Sequence, residues 1–308
     1  MSKIFEALKK TQGEMADVAL PMMVSESVGG LDAPADEAAA SSEYADETAN
    51  LDAMAETETT KVGRQRQPTF QDGELRTLPV RILVDAPVLP FQAGHSREGE
   101  QYRIARTKII QHPAQPRLIV ISSAGSGDGK TVTAINLAGA LALKNDAQVI
   151  LVEGDMRRPS MAALLGLPGQ PGLSEYLAGN CALEDVIVRI EQFPNLCFVP
   201  AGKSGANPTE LLDSRRWREA CDEFRRRSRF VILDAPPMGT VADYDLIEAN
   251  CDGVIFVVRP DVTDRKQCLE SLASVSKEKL IGVLMNCVSD WFLSRTKGYD
   301  YYQASPDR

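Results

Sequence analysis

The stretch RLIVISSAGSGDGKTVTAINLAGALALK, residues 117–144, constrains the fold more than any other part of the chain. It starts as a short apolar, β-rich run and passes through three glycines spaced two apart. It continues as an apolar run at helical spacing. A strand that turns through glycines into a helix, with Lys and Thr or Ser at the turn, is the phosphate-loop pattern G-x-x-x-x-G-K-[ST]. Gly129, Lys130 and Thr131 match it, and the small residue Ala124 stands where the first glycine is usual. Gly125, Gly127 and Gly129 free the backbone to curl, so the N–H groups of Gly125, Ser126, Gly127, Asp128 and Gly129 can point at one anion. The positive end of the following helix adds to that field. Lys130 is placed to reach the outer phosphates of a nucleotide and Thr131 to ligate Mg²⁺.

Strand-like runs recur downstream: QVILVEG (148–154), NLCFVPAG (195–202), RFVILDAP (229–236), DGVIFVVRP (252–260) and LIGVLMNCV (280–288), mostly separated by helical stretches. Strands apolar on both faces and alternating with helices imply an α/β fold, a mostly parallel sheet with helices on both sides. In such a sheet, ligands gather at the carboxyl ends of the strands. Two of these ends are acidic: Asp234 closes one strand, and Glu153 and Asp155 close another. All three are expected to meet at the phosphate loop, with Asp155 and Asp234 as hard oxygen ligands for Mg²⁺. A helix cap is the alternative role for any one of them. Asn286, after the strand GVLM, either reads the nucleotide base or caps a turn.

The net charge of −9 is unevenly spread, with twelve carboxylates and no Lys or Arg between Thr11 and Thr60. The rest is close to neutral and lacks the basic stripe of a nucleic-acid binder. Residues 11–78 are rich in Ala, Glu, Asp, Ser and Thr, and such a segment reads as disordered linker. Residues 1–10 can form an amphipathic turn around Ile4, Phe5 and Leu8, either a docking peptide or a frayed end. The expected organisation is thus 1–79 as helix plus acidic linker, 80–294 as the sheet domain and 295–308 as a tail carrying Tyr299, Tyr301 and Tyr302. Six scattered cysteines without a C-x-x-C pair, and a start without an apolar signal core, suggest reduced thiols in the cytoplasm. Two histidines are too few for a histidine metal cluster. The basic run at 215–229 is expected to be a solvated helix face around Trp217 and Phe224.

Together these motifs resemble the bacterial tyrosine kinases of capsule and exopolysaccharide synthesis, the BY-kinases. The resemblance covers about residues 95–302. Besides the phosphate loop, that family has a second acidic motif, D-x-D-x-R, similar to Glu153-Gly154-Asp155-Met156-Arg157 but for Glu in the first place. It has an apolar strand ending in Asp and a proline pair, as at Asp234, Pro236 and Pro237. It has E-x-x-R-x-x-R on a helix before the sheet, as at Glu100, Arg103 and Arg106, a turn like GANPTELL (205–212), and a C-terminal tyrosine cluster. The resemblance implies MgATP as phosphoryl donor and the tail tyrosines as acceptors in a neighbouring subunit. It implies Lys130, Asp155, Asp234, Arg157 and Glu153 at the catalytic centre, with Asp155 as base and Arg157 either stabilising charge or pinning its own loop. It implies a homo-oligomeric ring held through Glu100, Arg103 and Arg106, a separate membrane-spanning co-polymerase that activates the kinase at the inner face of the membrane, and an opposing tyrosine phosphatase. Glu153 is a departure that puts catalytic vigour in question, since one more methylene displaces a carboxylate by about an ångström. Two rival expectations remain: a partitioning or positioning ATPase switch, whose early loop lysine is here Gly125, and a catalytically weak ATP-binding scaffold of the export complex.

Overall fold

The computed structural model describes residues 75–82, 88, 97–144, 147–167, 171–203 and 205–288, and the backbone of 23–24. The central strands form where β-branched apolar residues run without interruption, and shorter, less apolar pieces add at the edges. They are β1 (Met23–Val24), β2 (Arg76–Leu78), β3 (Leu118–Ser123), β4 (Val149–Glu153), β5 (Val188–Ile190), β6 (Phe193–Val199), β7 (Phe230–Asp234), β8 (Gly253–Val258) and β9 (Leu280–Met285). They make one sheet in the order β1-β9-β8-β3-β7-β4-β6-β5-β2. Every neighbouring pair is parallel except β5 with β6, which a short turn joins as an antiparallel hairpin.

Side chains of β3, β4, β7 and β8 alternate between two cores, as the two-residue strand period requires. Val120, Val152, Leu233 and Phe256 join one core, against Trp217 and Phe224. Ile121, Leu151, Ile232 and Val257 join the other, against helices α1 (Arg97–Ile110) and α2 (Lys130–Ala142). In α1 the buried residues Tyr102, Ala105 and Ile109 fall on one stripe that packs towards α2. Helix α2 is buried along nearly its whole length, and its small residues Ala134, Ala138 and Ala140 let it lie close to the sheet. The remaining helices among the described residues are α3 (Met161–Leu164), α4 (Leu173–Leu177), α5 (Leu183–Val186), α6 (Pro208–Leu212), α7 (Arg215–Arg227), α8 (Asp243–Glu248) and α9 (Arg265–Ser274).

The parallel α/β architecture agrees with the sequence, and two short strands lie in the stretch expected to be linker. Strand β2 lies within the stretch assigned to linker, because Arg76–Leu78 adds to the edge strand β5. Gln192 fastens the chain just beyond it, donating to the Val80 carbonyl (3.1 Å) and accepting from the Val80 N–H (3.0 Å). The two residues of β1 pair with β9 and also fall in that stretch. The correction follows from pairing: a short strand without an apolar run forms when an existing edge satisfies its backbone. The face at 215–229 also needs amendment, since Arg225 is paired with Asp252 and Arg227 with Glu184 and Glu223. Residues 1–10 and the tail with Tyr299, Tyr301 and Tyr302 lie outside the described residues.

Candidate active site

Between β3 and α2 the chain turns through Gly127 (φ 86°) and Gly129 (φ 91°), both in the left-handed region that favours glycine. A Cβ on Gly129 would lie 1.9 Å from the Asn286 amide nitrogen, so only glycine fits. The loop is braced from within. Asp128 Oδ2 accepts from the Gly125 N–H (3.0 Å), and Asp128 Oδ1 accepts from the Thr263 hydroxyl (2.7 Å). Gln267 Nε2 donates to the Ala124 carbonyl (2.7 Å). These contacts hold the loop open over a cleft of ≈ 640 Å³, a size suited to a nucleotide. Gly125, Ser126, Asp128, Lys130, Thr131, Asp155, Arg157 and Arg158 line it, along with Pro236, Pro237, Thr240, Val241 and the segment Val262–Asp264.

Asp234 lies below Thr131, whose hydroxyl donates to Oδ2 at 2.6 Å. The other oxygen, Oδ1, is buried without a hydrogen-bond partner. Burial raises this carboxyl to about 7, against the opposing pull of the Thr131 bond and Lys130. A buried hard oxygen beside a threonine hydroxyl is the donor set that Mg²⁺ prefers, so the residues present fit that ion.

The three acids lie close enough to act on one another's charge but do not share one set of metal ligands. Among the described residues no group of three His, Cys, Asp or Glu side chains could hold a metal. Glu153 and Asp234 are register partners on adjacent strands, yet their carboxylates bond to different partners. Glu153 Oε1 accepts from the N–H groups of Ser160 and Met161, both at 2.6 Å, and Oε2 accepts from Ala201 (3.2 Å). Burial pushes its carboxyl up from the usual value despite these three donors. Glu153, expected at the catalytic centre, is here a buried brace that ties β4 to the start of α3 and the end of β6, and it does not line the cleft. Its neighbour Gly154 allows β4 to leave close beside β7: its N–H donates to the Asp234 carbonyl (2.8 Å), and a Cβ there would sit 2.8 Å from that oxygen.

Asp155 does line the cleft, and its Oδ1 accepts from the Arg158 N–H (3.0 Å). Arg157 lines it too, but its guanidinium is forked onto Asp243, with Nε to Oδ2 at 2.7 Å and Nη2 to Oδ1 at 3.1 Å. Asn286 is outside the lining. Its Nδ2 donates to the Asp128 carbonyl (3.0 Å) and its Oδ1 accepts from the Cys287 N–H (3.0 Å), so these contacts brace the loop. Glu100, Arg103 and Arg106 share α1 as expected. Glu100 and Arg103 pair with each other (2.8 Å), and Arg106 Nη1 donates to the Ala140 carbonyl at the end of α2 (3.3 Å). Sequence reasoning missed Asp243, Thr263 and Gln267, which come from distant segments and carry no local motif.

Fold and loop define a nucleotide-binding protein, and comparison with known families agrees. The CobQ/CobB/MinD/ParA nucleotide binding domain model matches residues 119–304, so the chain belongs to that family. Within it, the chain belongs with the bacterial tyrosine-protein kinases. It is 31% identical over 219 residues to the tyrosine-protein kinase YwqD of Bacillus subtilis (strain 168), covering 70% of this chain and 90% of that protein. Among solved structures it is similar to the chimerical protein CapA2B2, with TM-score 0.62 and 28% identity over 70% of this chain and 96% of the other. It is also similar to the kinase domain of the Escherichia coli tyrosine kinase ETK, with TM-score 0.57 and 25% identity over 68% and 79%. The class of enzyme is thereby a protein-tyrosine kinase. No helix among the described residues is long and apolar enough to cross a membrane.

Proposed function

We propose that the chain is an ATP-dependent tyrosine autokinase that phosphorylates Tyr299, Tyr301 and Tyr302 of a neighbouring copy. The observation that carries this reading is the buried, unpartnered Asp234 oxygen beside Thr131 at the foot of the phosphate loop. Such a site is arranged for a phosphate-bound cation rather than for the stability of the fold.

Lys130 and the loop N–H groups hold the β- and γ-phosphates of ATP, and Thr131 and Asp234 would hold Mg²⁺. The ion supplies neutralisation of phosphate charge. In the transfer, the bond from the γ-phosphorus to the β,γ-bridging oxygen breaks and a bond to the phenol oxygen forms. ADP leaves, and the phenol proton passes to Asp155 at the cleft wall. Phosphoryl transfer asks mainly for positioning and charge stabilisation, which a preset loop supplies. The larger role that accompanies this activity is control of exopolysaccharide or capsule polymerisation and export. In that role the kinase is a homo-oligomer in the cytoplasm, recruited to the inner face of the membrane by a membrane-spanning co-polymerase and reversed by a tyrosine phosphatase.

The test is the mass of the tryptic peptide Gly298–Arg308 after incubation with MgATP, with and without the cytoplasmic part of the membrane partner. One to three phosphates, absent in Lys130→Met, are the expected result. ATP binding with no phosphate on that peptide under either condition would overturn the reading.

A further inference from the structure

The turn that carries Asp155 is held from outside by two helices that take no part in the phosphate loop. Arg157 reaches out of this turn to Asp243 at the start of α8, making the fork already described. Its Nη2 also donates to the Thr209 hydroxyl in the first turn of α6 (2.8 Å), and that hydroxyl donates in turn to Asp243 Oδ1 (2.6 Å). Asn207 caps the same turn by accepting from the Thr209 N–H (3.2 Å). The Asp243 side chain is 2% exposed, against 39% for Arg157. A carboxylate so buried is tolerated only with its donors in place, because removing one partner leaves an uncompensated charge. Burial acting alone would raise this carboxyl, but the bonds from Arg157 and Thr209 outweigh it and hold it below the usual value.

Arg157, Asp155 and Arg158 are close neighbours in sequence and share one wall of the cleft. The phosphate loop forms another part of the lining and is braced separately through Asp128, Thr263 and Gln267. The two parts therefore have separate supports.

We propose that Asp243 and Thr209 are positioning residues: by clamping Arg157 they set the place of Asp155, and so the acceptor half of the cleft, without setting nucleotide affinity. Arg157 then serves as the arm of that clamp. This deepens the kinase reading and rests on it for its catalytic consequence. A displacement of about an ångström at a reacting group lowers rate by up to about a hundredfold.

The experiment uses the full chain with Asp243→Asn and, separately, Thr209→Val. It reads affinity for a fluorescent ATP analogue, the rate of tail phosphorylation, and amide hydrogen exchange of peptides spanning 154–160 and 124–131. In Asp243→Asn the expected result is a phosphorylation rate lower by about ten- to a hundredfold, with analogue affinity held within about twofold. Exchange should quicken at 154–160 and stay the same at 124–131. Thr209→Val should shift the same readings in the same direction by less, and it decides the matter if Asp243→Asn does not fold. Unchanged exchange at 154–160 in both variants would overturn the proposal. So would a loss of analogue binding in step with turnover, which is the mark of a general structural role. If the unaltered chain transfers no phosphate, the kinase reading fails, while the exchange pattern still decides whether Asp243 and Thr209 hold the turn.

Discussion

The sheet has an aspartate near each end, and the two are treated in opposite ways. Asp252 stands just before β8, at the amino end of the central strands. Its Oδ2 accepts from the N–H groups of Arg117 (3.0 Å) and Leu118 (2.8 Å), and its Oδ1 accepts from Arg225 Nη2 (2.8 Å). Burial would raise this carboxyl, but Arg225 and the two N–H groups outweigh it and hold it below the usual value. Asp234 closes β7 at the carboxyl end, with one threonine hydroxyl on one oxygen and nothing on the other, and burial lifts it to about 7. The residue type is the same; the number of donors differs. At the amino end the carboxylate satisfies the backbone N–H groups at the start of β3. At the carboxyl end an incomplete set is retained at a cost to the fold, and such incompleteness is where a ligand is received.

Three measurements would break or sharpen that contrast. The largest effect is expected for Asp234→Asn. Phosphorylation of the tail should fall by about a hundredfold or more, while the melting temperature holds or rises, because an uncompensated buried charge has been removed. A melting temperature that falls along with activity would make Asp234 a structural residue like Asp252.

Next in size is Asp252→Ala. It leaves two strand N–H groups and a guanidinium without their acceptor, which should cost about 2–3 kcal/mol in urea unfolding. Affinity for an ATP analogue should be unchanged in the folded fraction. A loss of affinity at constant stability would contradict the assignment of this end to folding alone.

The smallest effect is a pair of opposite slopes in stability against pH, measured without Mg²⁺. Asp252 has a depressed carboxyl, so its contribution is full above the ordinary aspartate value near 4 and is lost as the pH falls below it. Asp234 is raised, so the native state binds the extra proton, and stability should decline as the pH climbs from about 4 to about 7. Asp252→Asn should flatten the first slope and Asp234→Asn the second. Addition of Mg²⁺ near pH 6 should release protons to the buffer in the unaltered chain and not in Asp234→Asn.

The parallel sheet was readable because each central strand is apolar on both faces, a pattern that solvent on either side would not tolerate. The phosphate loop was readable because left-handed turns at Gly127 and Gly129 leave a local glycine signature. Strands β2 and β5 were missed, since three-residue pieces draw their stability from a neighbouring edge rather than from their own residues. The fate of Glu153 was also hidden. Strand geometry put it beside Asp234, but the amides of Ser160, Met161 and Ala201 that capture its carboxylate belong to segments whose approach is set by tertiary folding.

The sequence by itself thus determined the class of fold, the phosphate loop, and Asp234 and Asp155 as acids at the right strand ends. Each of these is written within a few consecutive residues. Only the tertiary structure decided which carboxylates are satisfied. It turned Glu153 into a brace, gave Asn286 to the loop and bound Arg157 to Asp243. The physical reason is that a carboxylate's role depends on how many donors reach it, and donors such as Thr209 and Arg157 on Asp243, 34 and 86 residues away, or Ala201 on Glu153, 48 away, leave no trace beside it in the chain.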